Sequence, residues 1–385
     1  MIQRILTDTV RRAARKFPVV AILGPRQSGK TTLVQTLFPL KPYVSLEDPD
    51  TRAFAQSDPR GFLAGYGKGA VLDEVQRVPE LFSYLQGVVD RAKKPGLFIL
   101  TGSQNFLLMQ HLSQSLAGRV SLLTLLPFSM EEFQRGRVKA PNADQSIFKG
   151  FYPAIYDRKI PPQDWYPSYI QTYLERDVRQ IKNVDNLAVF QKFLKLCAAR
   201  TGQLLNLSSL AIECGITHNT ARSWIGILEA SYLVHLLKPY HENFNKRVVK
   251  TPKLYFYDTG LACSLLEIER EKQITTHPLR GSLFETLVVS EMVKARLNRG
   301  RPKNLYFWRD KTGHEVDVLG IEGGNINAVE IKSGLTVTEE AFAGLDYWGR
   351  ISRKPGKRRL VYGGREKQER KKAMLVGWET AFLLP

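Results

Sequence analysis

From Pro18 to about Leu126 short apolar runs alternate with amphipathic stretches, and the runs have the length of buried strands. The pattern predicts strands at Val19 to Leu23, Tyr43 to Leu46, Ala70 to Leu72, Leu97 to Thr101 and Val120 to Leu125. Strands separated by helical segments build a parallel sheet covered by helices, so this part of the chain reads as α/β. Ahead of it, Ile2, Ile5, Leu6, Val10, Ala13 and Phe17 recur at helical spacing among basic residues. Between Arg135 and Pro167 the chain turns rich in Pro, Gly, Asn, Asp and Gln, and Pro161-Pro162 is unable to continue a helix, so a linker is expected. Helical period returns over Ser168 to Ile181 and over Asn186 to Arg200, where Leu187, Phe190, Phe193, Leu194 and Cys197 share a face.

Next, Leu210, Ala211, Ile216, Ala221, Trp224 and Ile225 fit two short helices bent at Gly215, with Thr217 placed to cap the second. Strands are expected at Leu233 to Leu237 and at Asn245 to Lys250, the second with a basic tip. Two helices and such a hairpin make a winged helix. The outer face of its second helix would carry His218, Asn219, Arg222 and Ser223, with Lys246 and Arg247 on the wing, all suited to groove or phosphate contacts. If the module binds protein instead, Arg222 and Lys246 are ordinary solvated surface.

The last part again shows period-two alternation. A helix over Ser282 to Met292 carries Glu285, and strands are expected at Leu305 to Arg309, Gly313 to Leu319 and Ala328 to Ser333, with Leu360 to Tyr362 as a final core strand. Alternation puts Glu330 and Lys332 on one sheet face, so Asp317 and Glu330 would converge on one divalent cation with Lys332 beside it. A structural ion pair between Glu330 and Lys332 would look the same in sequence.

Composition narrows the class. The 385 residues suffice for two or three domains, and 43% hydrophobic with 24% charged residues is ordinary for a globular protein. The formal net charge of +19 is not ordinary, and such a field attracts polyanions, nucleic acid first among those inside cells. Cys197, Cys214 and Cys263 lie far apart, which suggests neither a zinc site nor a disulfide framework. The N-terminus lacks the continuous apolar core of a signal peptide, and no apolar run is long enough to span a membrane, so a cytoplasmic protein without a membrane partner is expected.

The sharpest chemistry follows the first strand. Gly24-Pro25-Arg26-Gln27-Ser28-Gly29-Lys30-Thr31 is G-x-x-x-x-G-K-T between a strand and the helix that begins Thr32-Leu33-Val34. The glycines let the backbone wrap several N–H groups around phosphates, Lys30 reaches the β- and γ-phosphates, and the Thr31 hydroxyl takes Mg²⁺. The third strand closes on Asp73-Glu74, the first placed for the metal and the second to activate water. After the fourth strand, Ser103 either senses the γ-phosphate or caps a helix that starts near Asn105. Arg119, just before the fifth strand, either stabilises transition-state charge in its own or a neighbouring subunit or forms a surface salt bridge.

The runs Gly-Pro-Arg-Gln-Ser-Gly-Lys-Thr-Thr-Leu, Leu-Asp-Glu-Val-Gln, Leu-Thr-Gly-Ser-Gln and Leu-Ala-Gly-Arg-Val resemble a family of prokaryotic AAA-type ATPases with an additional C-terminal domain. Phe151-Tyr152-Pro153-Ala154 and Tyr173-Leu174-Glu175-Arg176-Asp177-Val178 match the family's style too, although members often have Gly where this chain has Phe151. The resemblance implies Lys30 and Thr31 for the nucleotide, Asp73 and Glu74 as metal and water acids, Ser103 as sensor and, more weakly, Arg119. The D…E-x-K order with Glu285 ahead of it resembles the core of restriction-endonuclease-like nucleases, PD-(D/E)xK in shorthand. That implies Asp317 and Glu330 as Mg²⁺ ligands, Lys332 assisting and Glu285 completing the shell.

The expected organisation is a phosphate-loop AAA-type domain over 1–135, a linker and helical segment over 136–185, a winged helix over 186–252 and an endonuclease-like α/β domain over 253–385. The expected function is Mg²⁺-dependent ATP hydrolysis coupled to remodelling or processing of DNA, duplex or branched, by a monomer or a homo-oligomer. The alternative is a nucleotide-dependent protein-binding switch whose nuclease-like part is an inert scaffold.

Overall fold

The apolar run Val19–Leu23 is buried at every position and forms β1. With it stand β2 (Tyr43–Ser45), β3 (Ala70–Asp73), β4 (Phe98–Gly102) and β5 (Val120–Thr124). The computed structural model describes residues 2–103, 115–138, 141–173, 184, 186–241, 249–352 and 355–384. The chain divides into two units, one of Met1–Phe128, Ala230–Tyr232 and Leu297–Arg301, the other of Ser129–Glu229, Leu233–Arg296 and Pro302–Pro385.

In the first unit the five strands are parallel in the order β2-β3-β4-β1-β5. β3 and β4 are buried throughout as well, which is why they read as unbroken apolar runs. Leu6 and Val10 of the helix Leu6–Ala14 pack with Val20, Ile22, Leu33, Val71, Ile99 and Leu123 in one core. All five strands fall within a residue or two of the predicted runs. Their order adds what the runs cannot show. β4 inserts between β1 and β3, so the segments leaving the C-terminal ends of these three strands are neighbours.

In the second unit the segment expected as a linker is built into helices, Ala143–Lys149, Pro153–Asp157 and Pro162–Tyr173. Two of its prolines start helices, Pro153 in the first turn of the second and Pro162 opening the third, and Pro167 lies inside the third. Gly150 turns the chain at φ 59°, and a Cβ there would lie 2.1 Å from Tyr166 Oη and 2.3 Å from Asp258 Oδ1. Asp258 is buried and accepts from Phe151 N at 2.7 Å, Tyr166 Oη at 2.7 Å and Leu261 N at 3.0 Å. The Gly-Phe-Tyr-Pro run is thus a folding element, its Tyr152 ring packed among Trp165, Tyr166 and Tyr169.

The strands of this unit are β6 (Gln203–Leu204), β7 (Val234–Pro239), β8 (Lys253–Phe256), β9 (Leu305–Arg309), β10 (Glu315–Glu322), β11 (Asn325–Lys332), β12 (Pro355–Tyr362), β13 (Gln368–Glu369) and β14 (Met374–Gly377). Among the described residues they form one sheet in the order β13-β14-β12-β11-β10-β9-β7-β8-β6. The helices Leu187–Ala198, Leu207–Cys214 and His218–Ala230 lie beside β6, β7 and β8 in the sequence, with Gly215 at φ 68° and Thr220 N donating to Thr217 Oγ1 at 3.1 Å. Trp224 closes this group against Phe190 and Phe193.

Among the described residues the strand that follows β7 is Lys253–Phe256. Of the strand expected over Asn245 to Lys250, Asn245 to Val248 lie outside the described residues, and Val249 and Lys250 are in no strand. Pro252 has no N–H for a ladder, and apolar Leu254 to Phe256 suit the buried position. A boundary between 252 and 253 therefore cuts the β7/β8 pair. In the C-terminal part β9, β10 and β11 are antiparallel, whereas β11, β12 and β14 are parallel, and Leu345 and Trp348 of the helix Ala343–Ile351 seal this region against Trp308, Val316, Leu319 and Leu360. The three cysteines are free and buried.

Candidate nucleotide site and the C-terminal acidic cluster

The loop after β1 depends on Gly24 at φ 155°, where a Cβ would sit 2.0 Å from the Leu125 carbonyl oxygen. Gln27 adopts φ 57° and Gly29 φ 92°, and no side chain caps the helix Lys30–Leu37, which leaves its first N–H groups to an anion. Lys30 is only 5% exposed, its ammonium donating to Gly24 O at 3.1 Å and Pro25 O at 2.8 Å. Ser28 Oγ is buried and lacks a hydrogen-bond partner. A wrapped loop, a buried ammonium and an orphaned hydroxyl fit a phosphate group. Arg4, missed by sequence reasoning, braces the loop through Ser28 O at 2.7 Å and Leu126 O at 2.5 Å. Pro25, Arg26 and Thr32 complete the run, and Arg26 lies 3.8 Å from Glu47.

Beside the loop, Thr31 Oγ1 donates to Asp73 Oδ2 at 3.0 Å, Tyr43 Oη donates to the same oxygen at 2.5 Å and Thr101 donates to Oδ1. Burial, then the hydrogen bond and charge of Asp73, push the Tyr43 phenol up, so it stays a donor. Glu74 takes the left-handed conformation, φ 55° and ψ 46°, rare for a side-chain-bearing residue. Its N–H donates to Thr101 Oγ1 at 3.2 Å, Ser103 Oγ donates to its Oε2 at 3.0 Å, and Gln76 donates to Glu74 and, at 3.2 Å, to Ser103. Burial works to raise the Glu74 carboxyl, but Lys30, Gln76, Arg26 and Ser103 together hold it below its ordinary value. It is therefore an ionised, oriented carboxylate. Backbone strain at such a place is the kind stored at functional sites. The roles of Tyr43, Thr101 and Gln76 were not foreseen, although Thr101 and Gln76 lie within runs that sequence reading singled out. Asn105, the alternative helix start for Ser103, lies outside the described residues.

Arg119 is elsewhere. It precedes β5, and its carbonyl accepts from Val19 N at 3.2 Å, at the end of β1 opposite the phosphate loop. Five residues of strand span about 16 Å. There it makes a two-pronged ion pair with Asp90, at 2.5 and 2.9 Å. Contact with the phosphates of its own loop is thus corrected by the strand length between them.

On the helix His218–Ala230, His218, Asn219, Arg222 and Ser223 are exposed while Ala221, Trp224 and Ile225 are buried, as the period requires. Lys246 and Arg247 lie outside the described residues.

In the C-terminal part Glu285, Asp317, Glu330 and Lys332 do come near one another, but not as an open metal shell. Lys332 Nζ donates to Glu330 Oε1 at 2.7 Å, and Asp317 Oδ2 accepts from Ile331 N at 2.8 Å. Lys253 of β8, which sequence reasoning passed over, is 2.9 Å from Glu285 Oε1 and 3.8 Å from Asp317 Oδ1, and it also pairs with Glu315. Burial first and the Asp317 charge second push Glu285 up to about 7 and Glu330 up to about 8. Among the described residues no group of three or more His, Cys, Asp and Glu is set to hold a metal ion. The expected Mg²⁺ site of Asp317 and Glu330 therefore does not fit this arrangement, because an ammonium already stands among the carboxylates.

Comparison with known proteins now fixes the class. Residues 16–134 match the AAA domain family, residues 141–272 a domain of unknown function (DUF8612) and residues 280–380 a domain of unknown function (DUF4143). The N-terminal part is an AAA-type ATPase domain, and the C-terminal match leaves the endonuclease-like likeness as a reading of residues. "Uncharacterized protein Rv2008c" of Mycobacterium tuberculosis and "Uncharacterized protein Mb2031c" of Mycobacterium bovis are each 31% identical over 326 residues, 84% of this chain and 72% of theirs. The chain belongs to the family of these two mycobacterial proteins. Among solved structures, the Walker-type ATPase PABY2304 of Pyrococcus abyssi aligns at a TM-score of 0.46 with 15% identity, over 69% of this chain and 96% of that one. Among the described residues no helix is long and apolar enough to cross a membrane.

Proposed function

We propose that the chain is a Mg²⁺-dependent ATPase that binds DNA and uses hydrolysis to reposition its C-terminal modules on it, duplex or branched. One observation carries the ATPase part: the order β3-β4-β1 gathers Lys30 and Thr31, Asp73 and Glu74, and Ser103 at neighbouring strand ends. ATP is held by the loop Gly24 to Thr32 through backbone N–H groups and Lys30. Mg²⁺ would be held by Thr31 and, through water, Asp73, and would supply charge neutralisation on the phosphates. Glu74 orients the attacking water and takes its proton, and Ser103 fixes the Glu74 carboxylate in position. Arg119 remains for the nucleotide of a neighbouring copy, which requires a homo-oligomer and release from Asp90.

The DNA part is supported by the net charge of +19 and by the exposed His218, Asn219 and Arg222 on the second helix of a helix-turn-helix. The order of helix, strand, two helices and two strands supports a winged helix over 186–256. The other proposed boundaries are 1–135 for the ATPase domain, 136–185 for the helical segment and 257–385 for the remaining C-terminal part.

A second reading has its own support. Lys253 within the acidic cluster favours a nuclease-like scaffold that does not cut, as a nucleotide-dependent protein switch would have. Steady-state ATP hydrolysis with single-stranded, duplex and four-way DNA, with Lys30→Ala as the blank, separates the two. Stimulation by one DNA form supports the DNA-coupled ATPase, and hydrolysis indifferent to every DNA supports the switch.

A further inference from the structure

The acidic cluster draws on four separate stretches of chain. Alternation puts Lys253 and Tyr255 on one face of β8, Glu315 and Asp317 on one face of β10, and Glu330 and Lys332 on one face of β11, while Glu285 comes from the helix Arg280–Asn298. The β9/β10 register shifts between Val316 and Leu319, the stretch that holds Asp317, and such irregularities re-aim side chains.

We propose that the ammonium of Lys253 is the resident cation of this cluster, standing where the endonuclease-like reading puts a divalent metal ion, so that the site admits Mg²⁺ or Mn²⁺ only when Lys253 is removed. Its side chain is 4% exposed and lies among Glu285, Glu315 and Asp317, with the Phe307 ring 5.7 Å away. The carboxylates are further engaged. Tyr255 Oη donates to Glu285 Oε1 at 2.5 Å, Arg309 is 3.1 Å from Glu315 Oε2, and Lys332 holds Glu330 at 2.7 Å.

A divalent ion entering this set would have to displace an ammonium tethered to the same sheet. The displaced Lys253 would remain buried beside Phe307 and a new positive charge, the arrangement that costs most for an ion pair broken from one side. Glu330 Oε2 is buried without a hydrogen-bond partner, so an acceptor for an added ion is present once Lys253 is gone. The lysine lies outside the D…E-x-K pattern and reaches the cluster only through the β7/β8 pairing, so no spacing in the sequence points to it. The inference is independent of the ATPase reading, since it concerns the second unit alone.

The test is Mn²⁺ binding to the nucleotide-free full chain, followed by the electron paramagnetic resonance of free Mn²⁺, for wild type, Lys253→Met and Lys253→Met with Asp317→Asn. The expected result is no cluster-bound Mn²⁺ in wild type at millimolar metal, one per chain in Lys253→Met, and its loss in the double variant. One Mn²⁺ per wild-type chain that Asp317→Asn removes would overturn the proposal, as would a folded Lys253→Met that takes up none. If Lys253→Met does not fold without metal, its melting temperature is read with added Mn²⁺ and in combination with Glu285→Gln. Recovery by either supports the proposal, and recovery by neither overturns it. The same wild-type chain should leave duplex DNA uncut in Mn²⁺.

Discussion

The Thr31 hydroxyl donates to Asp73 Oδ2 at 3.0 Å, joining the helix after the phosphate loop to the end of β3. Tyr43 and Thr101 converge on the same carboxylate, so Asp73 is fixed from β2, β4 and the loop together. Thr31→Ala removes a contact that orients the acid and, in the proposed mechanism, the hydroxyl that would hold Mg²⁺. Its expected effect is a loss of about 10²-fold or more in kcat, the scale on which single preorganised electrostatic groups act. Turnover measured across a Mg²⁺ titration checks it, and wild-type kcat at saturating Mg²⁺ would exclude this role.

Glu74 differs from Asp73 in its contacts, which orient it through Gln76 and Ser103 without linking it to Thr31. Glu74→Gln should lower kcat by about 10²–10⁴-fold, the usual contribution of a general base, while ATP binding persists. Lys30→Ala should instead weaken ATP binding itself. Fluorescent-nucleotide titration beside turnover distinguishes the two, and a Glu74→Gln enzyme with normal turnover would remove Glu74 from the chemistry.

Much of this site was legible because the phosphate loop and the strand ending in Asp73-Glu74 are local patterns set by a run of chain. Tyr43 and Thr101 were not, since each reaches Asp73 only through the sheet order, and a tyrosine starting one strand looks like any other. Lys253 shows the same limit more sharply: the acidic residues were legible by alternation, yet the cation that changes their meaning comes from β8. The linker expectation failed because Pro153 and Pro162 stand in the first turns of helices, where a missing N–H costs nothing, and the third helix runs on through Pro167. Arg119 was legible as an arginine before a strand, but which end of the sheet that strand begins from is a property of parallel pairing.

Arg222 is exposed on the helix His218–Ala230, away from the buried Trp224. If it contacts phosphate, Arg222→Ala should weaken DNA binding about equally across sequences and reduce the slope of log K against log salt by about one. Fluorescence anisotropy over a salt series reads both quantities. An unchanged slope would make Arg222 solvated surface and favour a protein partner.

Gly150 turns the chain at φ 59° into a position where a methyl group meets Tyr166 and Asp258. Gly150→Ala should therefore destabilise the second unit by about 1–3 kcal/mol through overpacking, with left-handed backbone strain added. Chemical denaturation measures the loss. A variant as stable as wild type would show that the Asp258 network yields without cost.

Acid should favour the C-terminal cluster, the reverse of what salt-bridged carboxylates usually do. Burial and the Asp317 charge raise Glu285 to about 7 and Glu330 to about 8 from an ordinary 4.5, so the folded chain holds these protons more tightly than the unfolded one. The stabilisation from protonation is complete below about 4.5 and is lost as pH rises through 7 to 8. His235 acts oppositely: burial holds its imidazole well below the usual range, so charging it costs stability as pH falls below 6.5. The two trends overlap in wild type, which makes the difference between wild type and Glu330→Gln the informative measurement. Urea denaturation at a series of pH values should show that difference shifting against wild type as pH rises from 5 to 8, because glutamine has no proton to lose. A difference that stays constant over that span would mean that Glu330 is ionised throughout, its charge fully met by Lys332 at 2.7 Å.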